Sequence, residues 1–322
     1  METKPCESAV IERVFFRVSF KKLAALTVLM PLTSLLICFV TAMIFQNKEV
    51  NTTFCDVYNI IPSISAITGI SPQRYIWRIG VALHCTPRLL ITSVYYSYYV
   101  GLVINLESKV RKSYLRWVEV NYWLNVAENL SLIGVTYISN RENYPIHEKL
   151  FIVFMSSSLS YMLLNCIIFR WGNPIMSSQT RKSYLMKLFL LSAKLVCTVG
   201  LLYFFYRHRR FCEELGELPL PFVVISCFSF CEYCMATANM AYHATVVWDC
   251  PDECIIVGAP VLKTSASNPG KVASETNLPN TRRHEKSHEG FTITQRVDQL
   301  IEILHVHFES CELIGQIVHL VG

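Results

Sequence analysis

Three charged side chains lie inside long apolar segments of this sequence. Counted at about 1.5 Å per helical residue, Arg88, Glu128 and Glu232 each come close to the middle of a segment. A charge at the centre of a membrane-spanning helix costs on the order of 3 kcal/mol, so such groups need partners or water. Either they pair and hold the helices together, or they line a polar cavity that binds an anionic ligand.

Further polar residues share the helical faces of these charges, because residues three, four, seven or eleven positions apart lie on one face. A histidine or carboxylate there could transfer protons, and an arginine or amide could hold a phosphate. The candidate catalytic residues are His84, His243, Glu128 and Glu232. The candidate residues for binding a lipid headgroup are Arg74, Arg88, Asn125, Asn129, Asn239 and His147.

The composition is typical of a membrane protein. Of 322 residues, 52% are hydrophobic and 16% are charged, and the mean hydropathy is +0.35, whereas soluble domains are about one quarter charged. The apolar residues cluster in stretches of about 20, the length that crosses some 30 Å of hydrocarbon. The net charge of +5 is spread over loops and tail, which argues against a nucleic-acid partner.

These stretches predict an all-α, polytopic membrane protein with about six transmembrane helices. The first stretch follows four basic residues, which places the amino terminus in the cytosol by the positive-inside rule. A cleavable signal peptide is the rival interpretation, but its hydrophobic region is rarely longer than about 15 residues. The predicted spans are 23–45, 79–104, 117–138, 150–169, 185–206 and 221–248.

This topology divides the chain into a cytosolic amino terminus (1–22), a six-helix transmembrane domain (23–248) and a cytosolic tail (249–322). The tail is rich in Ser, Thr, Asn, Pro and mixed charges, so it is predicted to be mostly disordered. Between Val297 and Cys311, apolar residues recur at helical spacing. This segment could form a terminal amphipathic helix, or it could be a weakly ordered terminus.

The loops assigned to the lumen contain Cys55 and Cys212. An oxidising lumen favours a disulfide between them, and two unpaired thiols are the alternative. Asn51 begins a glycosylation sequon on the same side, close to the end of the first span.

Other cysteines offer weaker signals. Cys250 and Cys254 follow the last span on the cytosolic side, where they are candidates for palmitoylation or are free thiols. Cys231 and Cys234 have the spacing of half a metal site, but no second ligand pair accompanies them, so no metal is predicted.

Four long segments carry a resemblance to a known family. They are SPQRYIWRIGVALHCTPRLL from Ser71, WLNVAENLSLIGVTYIS from Trp123, PIHEKLFIVFMSSSL from Pro145, and MATANMAYHATVVWD from Met235. With the two cysteine loops they cover most of the chain through Asp249, and the sequence resembles the Frag/DRAM/Sfk family.

The resemblance implies a multi-pass protein of the Golgi membrane, and also of the endoplasmic reticulum (ER). It implies a part in remodelling glycosylphosphatidylinositol (GPI) anchors, at the step that reacylates lyso-GPI with a saturated fatty acid. The implied partners are GPI lipids, GPI-anchored proteins and a GPI-remodelling enzyme. No bound cofactor is implied, although acyl-CoA or a phospholipid could be the acyl donor.

Three functions fit these observations. The first is an acyltransferase, or a component of one, in which His84 or His243 deprotonates the lipid hydroxyl. The separation of His243 from Asp249 is one residue too long for the His-x4-Asp acyltransferase motif, so catalysis is not fixed by sequence. The second is a noncatalytic factor that binds or presents lipids, and the third is a small transporter or channel.

Overall fold

The computed structural model describes residues 11–52, 58–214, 221–250 and 254–260. The long helices are α1 (Phe20–Phe45), α4 (Gln73–Gly101), α5 (Ser108–Tyr137), α6 (Tyr144–Gly172), α7 (Ser178–Glu214) and α8 (Pro221–Ala244). The short elements are strand β1 (Ile11–Ser19), α2 (Asn47–Asn51), α3 (Ile64–Thr68), a 3-10 turn (Leu102–Asn105), α9 (Val246–Asp249) and strand β2 (Cys254–Pro260).

The bundle has an apolar outer surface, and its interior contains charged and polar side chains among the apolar ones. Large apolar side chains such as Leu36, Ile79 and Val196 are more than half exposed, whereas Arg88 and Glu128 are buried. An apolar outer surface is stable against lipid tails and not against water. The chain is therefore a multi-pass membrane protein, as predicted.

Four of the six predicted spans coincide with helices that are apolar enough to cross a membrane. Among the described residues, four helical segments are both long and apolar enough to cross a membrane: Phe20–Phe45, Tyr144–Gly172, Ser178–Arg210 and Val223–Asp249. Helices α4 and α5 are equally long, but each carries charged and amide side chains along its length. The count of six spans stays a prediction.

Adjacent helices pack as pairs, α1 with α4, α5 with α6, and α7 with α8, and α4 also packs on α5. The closest approach described between α1 and α4 is at Gly80. A Cβ atom there would lie 1.9 Å from the Oγ and 2.6 Å from the Cβ of Ser34. Small residues allow such close packing in membranes, where helices gain little from hydrophobic burial.

The two strands pair where α1 begins and α9 ends, and we call this side of the bundle the strand end. β1 and β2 are antiparallel, with Ser19 opposite Cys254 and Ile11 opposite Pro260. The sequence analysis predicted neither strand and assigned residues 254–260 to the tail. Residues 261–322, including the predicted amphipathic helix, lie outside the described residues.

A buried ion pair lies beside the strands. Lys187 Nζ is 2.5 Å from Asp249 Oδ2, and both side chains are fully buried. Tyr95 and Ser183 each donate a hydrogen bond of 2.6 Å to the same carboxylate. These contacts fix the end of α9 against α4 and α7.

The opposite side, which we call the α3 end, is held by the loop between α5 and α6. Glu142 accepts hydrogen bonds from the backbone N–H and the hydroxyl of Ser139 at 2.9 and 2.8 Å. It also pairs with Arg78 at 2.6 Å and with Arg74 at 3.4 Å. The first turns of α4 are thereby tied to the α5–α6 loop.

We predict that Gly80→Ala destabilises the bundle, because its methyl group would overlap Ser34. Overpacking costs about 1–3 kcal/mol, so the thermal midpoint in detergent should fall by several degrees. Gly101→Ala is the matched control, since no atom lies within 4 Å of a Cβ there. Equal midpoints for Gly80→Ala and Gly101→Ala would contradict the close packing of α1 on α4.

Glu142 provides a pH-dependent prediction. The hydrogen bonds from Ser139, followed by those from Arg78, lower the pKa of Glu142 to about 2 from its usual 4.5. Because the folded-state pKa is depressed, the stabilisation is present above pH 4.5 and is lost as the pH falls toward 2. The difference in thermal midpoint between wild type and Glu142→Gln should shrink across this window, and a constant difference would refute the assignment.

Candidate functional site

The centre of the site is an ion pair between α4 and α5. Arg88 Nη2 lies 2.7 Å from Glu128 Oε2, and the two side chains are 2% and 0% exposed. Arg88 also donates a hydrogen bond of 3.3 Å to Asn125 Oδ1. A buried pair is stabilised by further hydrogen bonds to its two groups, and α6, α7 and α8 supply several of them, whereas Nε of Arg88 has no partner among the described residues.

His243 of α8 contacts both members of the pair. Its Nε2 lies 2.6 Å from Arg88 Nη2 and 3.2 Å from Glu128 Oε1, and its ring stacks on Tyr161. A guanidinium only donates hydrogen bonds, so Nε2 accepts from Arg88 and a neutral ring carries its proton on Nδ1. The basic nitrogen of His243 is therefore occupied while the ion pair is intact.

Helices α6 and α7 add Ser158 and Lys194, which the sequence analysis did not select. Ser158 Oγ lies 2.9 Å from Glu128 Oε1 and 2.7 Å from Asn239 Oδ1. Lys194 Nζ contacts Ser158 Oγ and donates to Asn239 Oδ1 at 2.7 Å. Asn239 Nδ2 in turn donates to Glu128 at 2.9 Å, so α8 closes the network.

The depth argument that identified Arg88 would also have identified Lys194, which lies near the middle of the predicted span 185–206. Ser158 has no comparable signal, because serine is common in membrane helices. We call the six residues the Arg88 cluster: Arg88, Glu128, Ser158, Lys194, Asn239 and His243. With Arg88 and Lys194 protonated, the cluster has two cations for one carboxylate and attracts anions.

A cavity of about 100 Å³ extends from this cluster toward the α3 end, and we call it the inner cavity. Its walls come from α1, α3, α4, α5, α6 and α8 and are mostly apolar. Arg88 and His243 line it on the cluster side, and Ser65, His147 and Glu232 line it on the α3 side. The cavity has room for several water molecules beside polar groups.

His84 also lines the inner cavity. Its Nδ1 lies 2.6 Å from the carbonyl oxygen of Thr27 on α1. A carbonyl only accepts hydrogen bonds, so Nδ1 carries the proton and Nε2 is the basic nitrogen. Of the two predicted bases, His84 has the tautomer suited to taking a proton, whereas His243 is occupied by Arg88.

Glu232 lies on the α3 side and is not paired with Arg88. Its Oε2 accepts a 2.8 Å hydrogen bond from the backbone N–H of Ile64, the first residue of α3. The sequence analysis placed Glu232 at the depth of Arg88, but it could not foresee that α3 packs against α8 and supplies a donor. His147 lies nearby, between Ser65 Oγ at 3.2 Å and the carbonyl oxygen of Ile138 at 2.7 Å.

Besides Asn125, which does not line the inner cavity and accepts the hydrogen bond from Arg88, two predicted headgroup-binding residues lie away from this cavity. Arg74 donates to the carbonyl oxygen of Gly69 at 2.6 Å and pairs with Glu142, so it fixes the α3 end. Asn129 donates to the carbonyl oxygen of Cys85 at 3.0 Å and joins α5 to α4. Both make contacts between helices or loops, and neither faces the space that a ligand could enter.

The modification sites predicted from sequence also change. Asn51 is fully buried in α2 and hydrogen-bonds Asn47 at 3.3 Å, so this geometry leaves no room for a glycan. Cys250 is 3% exposed, which argues against its palmitoylation, whereas Cys254 in β2 is partly exposed and remains a candidate.

The predicted disulfide is a different case. Cys55 and the side chain of Cys212 lie outside the described residues, so their pairing stays a prediction.

Comparison with known proteins gives a consistent result. Residues 19–253 match the family described as Frag1/DRAM/Sfk1/Cwh43P N-terminal domain. The chain is 44% identical to "Post-GPI attachment to proteins factor 2-like" of Drosophila melanogaster over 76% of this chain and 73% of that protein. It is 36% identical to "Acyltransferase PGAP2" of Danio rerio over 66% of this chain and 91% of that protein.

A third relative, "Acyltransferase PGAP2" of Xenopus tropicalis, is 33% identical over 76% of this chain and 93% of that protein. No solved structure matches. The matched region includes every helix of the bundle and all six residues of the Arg88 cluster. The chain therefore belongs to the Frag1/DRAM/Sfk1/Cwh43P family.

Proposed function

We propose that this protein remodels GPI lipids in the Golgi or ER membrane by reacylating lyso-GPI, as the acyltransferase or as a component of it. The names of its relatives refer to GPI attachment and to acyl transfer. The single observation that carries the catalytic part is His84, whose basic Nε2 belongs to a ring lining the inner cavity that Arg88 also lines.

The proposed step is transfer of an acyl group to a lipid hydroxyl. His84 Nε2 takes the proton of the lyso-GPI hydroxyl as the oxygen attacks the carbonyl carbon of an acyl-CoA or phospholipid donor. The new ester bond forms, the thioester or ester bond of the donor breaks, and His84 returns the proton to the leaving group. The Arg88 cluster attracts the phosphate of the lyso-lipid and orients its hydroxyl.

A noncatalytic lipid-presenting factor is the second candidate function, and the partners that Arg88 already has within the protein favour it. Arg88 already pairs with Glu128 and contacts His243, and an inner cavity of about 100 Å³ is too small for two lipid substrates. Under this alternative the cavity opens to hold a lipid, and a partner enzyme performs the transfer.

The base is tested by His84→Asn in the full chain reconstituted in nanodiscs with lyso-GPI and a labelled acyl donor. The amide of Asn can still donate to the carbonyl of Thr27, but it has no basic nitrogen. We expect kcat to fall by about 10²- to 10⁴-fold, while KM for lyso-GPI stays unchanged. If His84→Asn transfers the acyl group as fast as wild type, His84 is not the base. If wild type binds the lipid but transfers no acyl group, the lipid-presenting factor is supported.

The ion pair is tested by a single and a double substitution. Arg88→Met leaves Glu128 buried without its partner, which costs about 3–5 kcal/mol, so the folded yield should drop sharply. Arg88→Met combined with Glu128→Gln removes both charges and should recover the folded yield.

The double variant then separates folding from function. In cells that express only the double variant, we expect a lipid analysis to find increased lyso-GPI, because the Arg88 cation that orients the phosphate is absent. Normal GPI lipids in cells that express only the double variant would show that Arg88 serves packing alone.

A further inference from the structure

The α3 end contains a second, larger cavity that the proposed reaction does not use. Its volume is about 910 Å³, and its walls come from α2, α3, the α5–α6 loop and the adjoining ends of α6, α7 and α8. Sites for small molecules typically measure about 300–1,000 Å³. We call this space the outer cavity.

Neighbouring residues of α3, and neighbouring residues of the first turn of α6, line the two cavities. Ser63 and Ala66 line the outer cavity, whereas Ser65 lines the inner one. On α6, Glu148 lines the outer cavity and His147, its neighbour in sequence, lines the inner one. The hydrogen bond of 3.2 Å between Ser65 and His147 joins α3 to the first turn of α6. A ligand long enough to reach past α3 and the first turn of α6 would occupy both cavities.

The walls of the outer cavity carry balanced charge. Arg141 and Arg209 line it together with Glu49 and Glu148, so two cations face two carboxylates. Arg141 and Glu49 form an ion pair of 2.6 Å whose side chains are 39% and 51% exposed. A free phosphate or an acidic peptide would meet both carboxylates, and like-charge contacts of this kind oppose binding.

The remaining walls suit a neutral ligand with many hydroxyl groups. Tyr144, Phe205 and Phe228 provide aromatic faces, and Asn140 provides an amide group. Hydroxyl groups both donate and accept, so they can bind carboxylates, guanidinium groups and amides at once. Aromatic faces pack against the apolar faces of sugar rings.

We infer that the outer cavity binds the glycan of the GPI headgroup while the phosphate and the reacting hydroxyl lie in the inner cavity. This inference rests on the proposed function and adds a specificity site to it. The outer cavity would distinguish GPI from phosphatidylinositol and its phosphates, because those lipids carry no glycan on the inositol. The partition formed by α3 and α6 would fix the distance between glycan and reacting hydroxyl.

The test measures binding and not turnover, with the full chain in nanodiscs. The probes are lyso-phosphatidylinositol that carries the GPI glycan and lyso-phosphatidylinositol without it. Tyr144→Leu and Glu148→Gln should each weaken binding of the glycosylated lipid by about 3- to 10-fold, the value of one aromatic or hydrogen-bonding contact. Binding of the lipid without glycan should not change.

Matched controls are Tyr75→Leu and Glu107→Gln. Tyr75 is 57% exposed on the first turn of α4, Glu107 is exposed at the strand end, and neither lines the outer cavity. The inference is overturned if both lipids lose affinity equally, or if Tyr144→Leu and Glu148→Gln bind the glycosylated lipid like wild type. Failure of wild type to bind either lipid would overturn the proposed function as well.

Discussion

The buried ion pair between Arg88 and Glu128 requires polar partners, and this requirement constrains how the other helices pack around it. Two opposite charges without water are stabilised when further hydrogen bonds form to the two groups, and here most positions are filled, with Nε of Arg88 left without a partner among the described residues. Five helices take part in the pair or in the network around it, since α4 and α5 carry the pair itself and α6, α7 and α8 bring Ser158, Lys194 and His243. The arrangement of the helices is thus specified by polar contacts, in a lipid environment where apolar contacts discriminate poorly between neighbours.

The same constraint explains why α4 and α5 contain no stretch as apolar as those found in the other long helices. A helix that supplies charged side chains to the interior has polar residues on its inner face, and these lower its average hydropathy. Its outer face stays apolar and compatible with lipid. Averages over a segment cannot distinguish such a helix from one that lies outside the membrane. The position of each polar residue on the helical face carries the missing information, because Arg88, Glu128 and Asn129 all point inward.

Sequence alone was sufficient for the membrane class, and it placed Arg88, Glu128 and Glu232 at a similar depth, because these follow from length, composition and the cost of buried charge. It did not determine the number of spans or which carboxylate pairs with Arg88. It was insufficient for Glu232, whose partner is the backbone of a short helix distant in sequence. It also missed the strands, because pairing of Ser19 with Cys254 depends on tertiary structure and not on local propensity. Asn51 matched a sequon by its neighbours, yet its burial is a property of the fold.

The strand pair has a consequence for biogenesis. β1 continues directly into the first helix, and its partner β2 follows the last helix of the bundle. The strand pair therefore connects the beginning of the bundle to its end. The strand pair cannot form completely until the ribosome has synthesised the chain through Pro260. During synthesis, β1 therefore stays unpaired until the last helix of the bundle and β2 have been made.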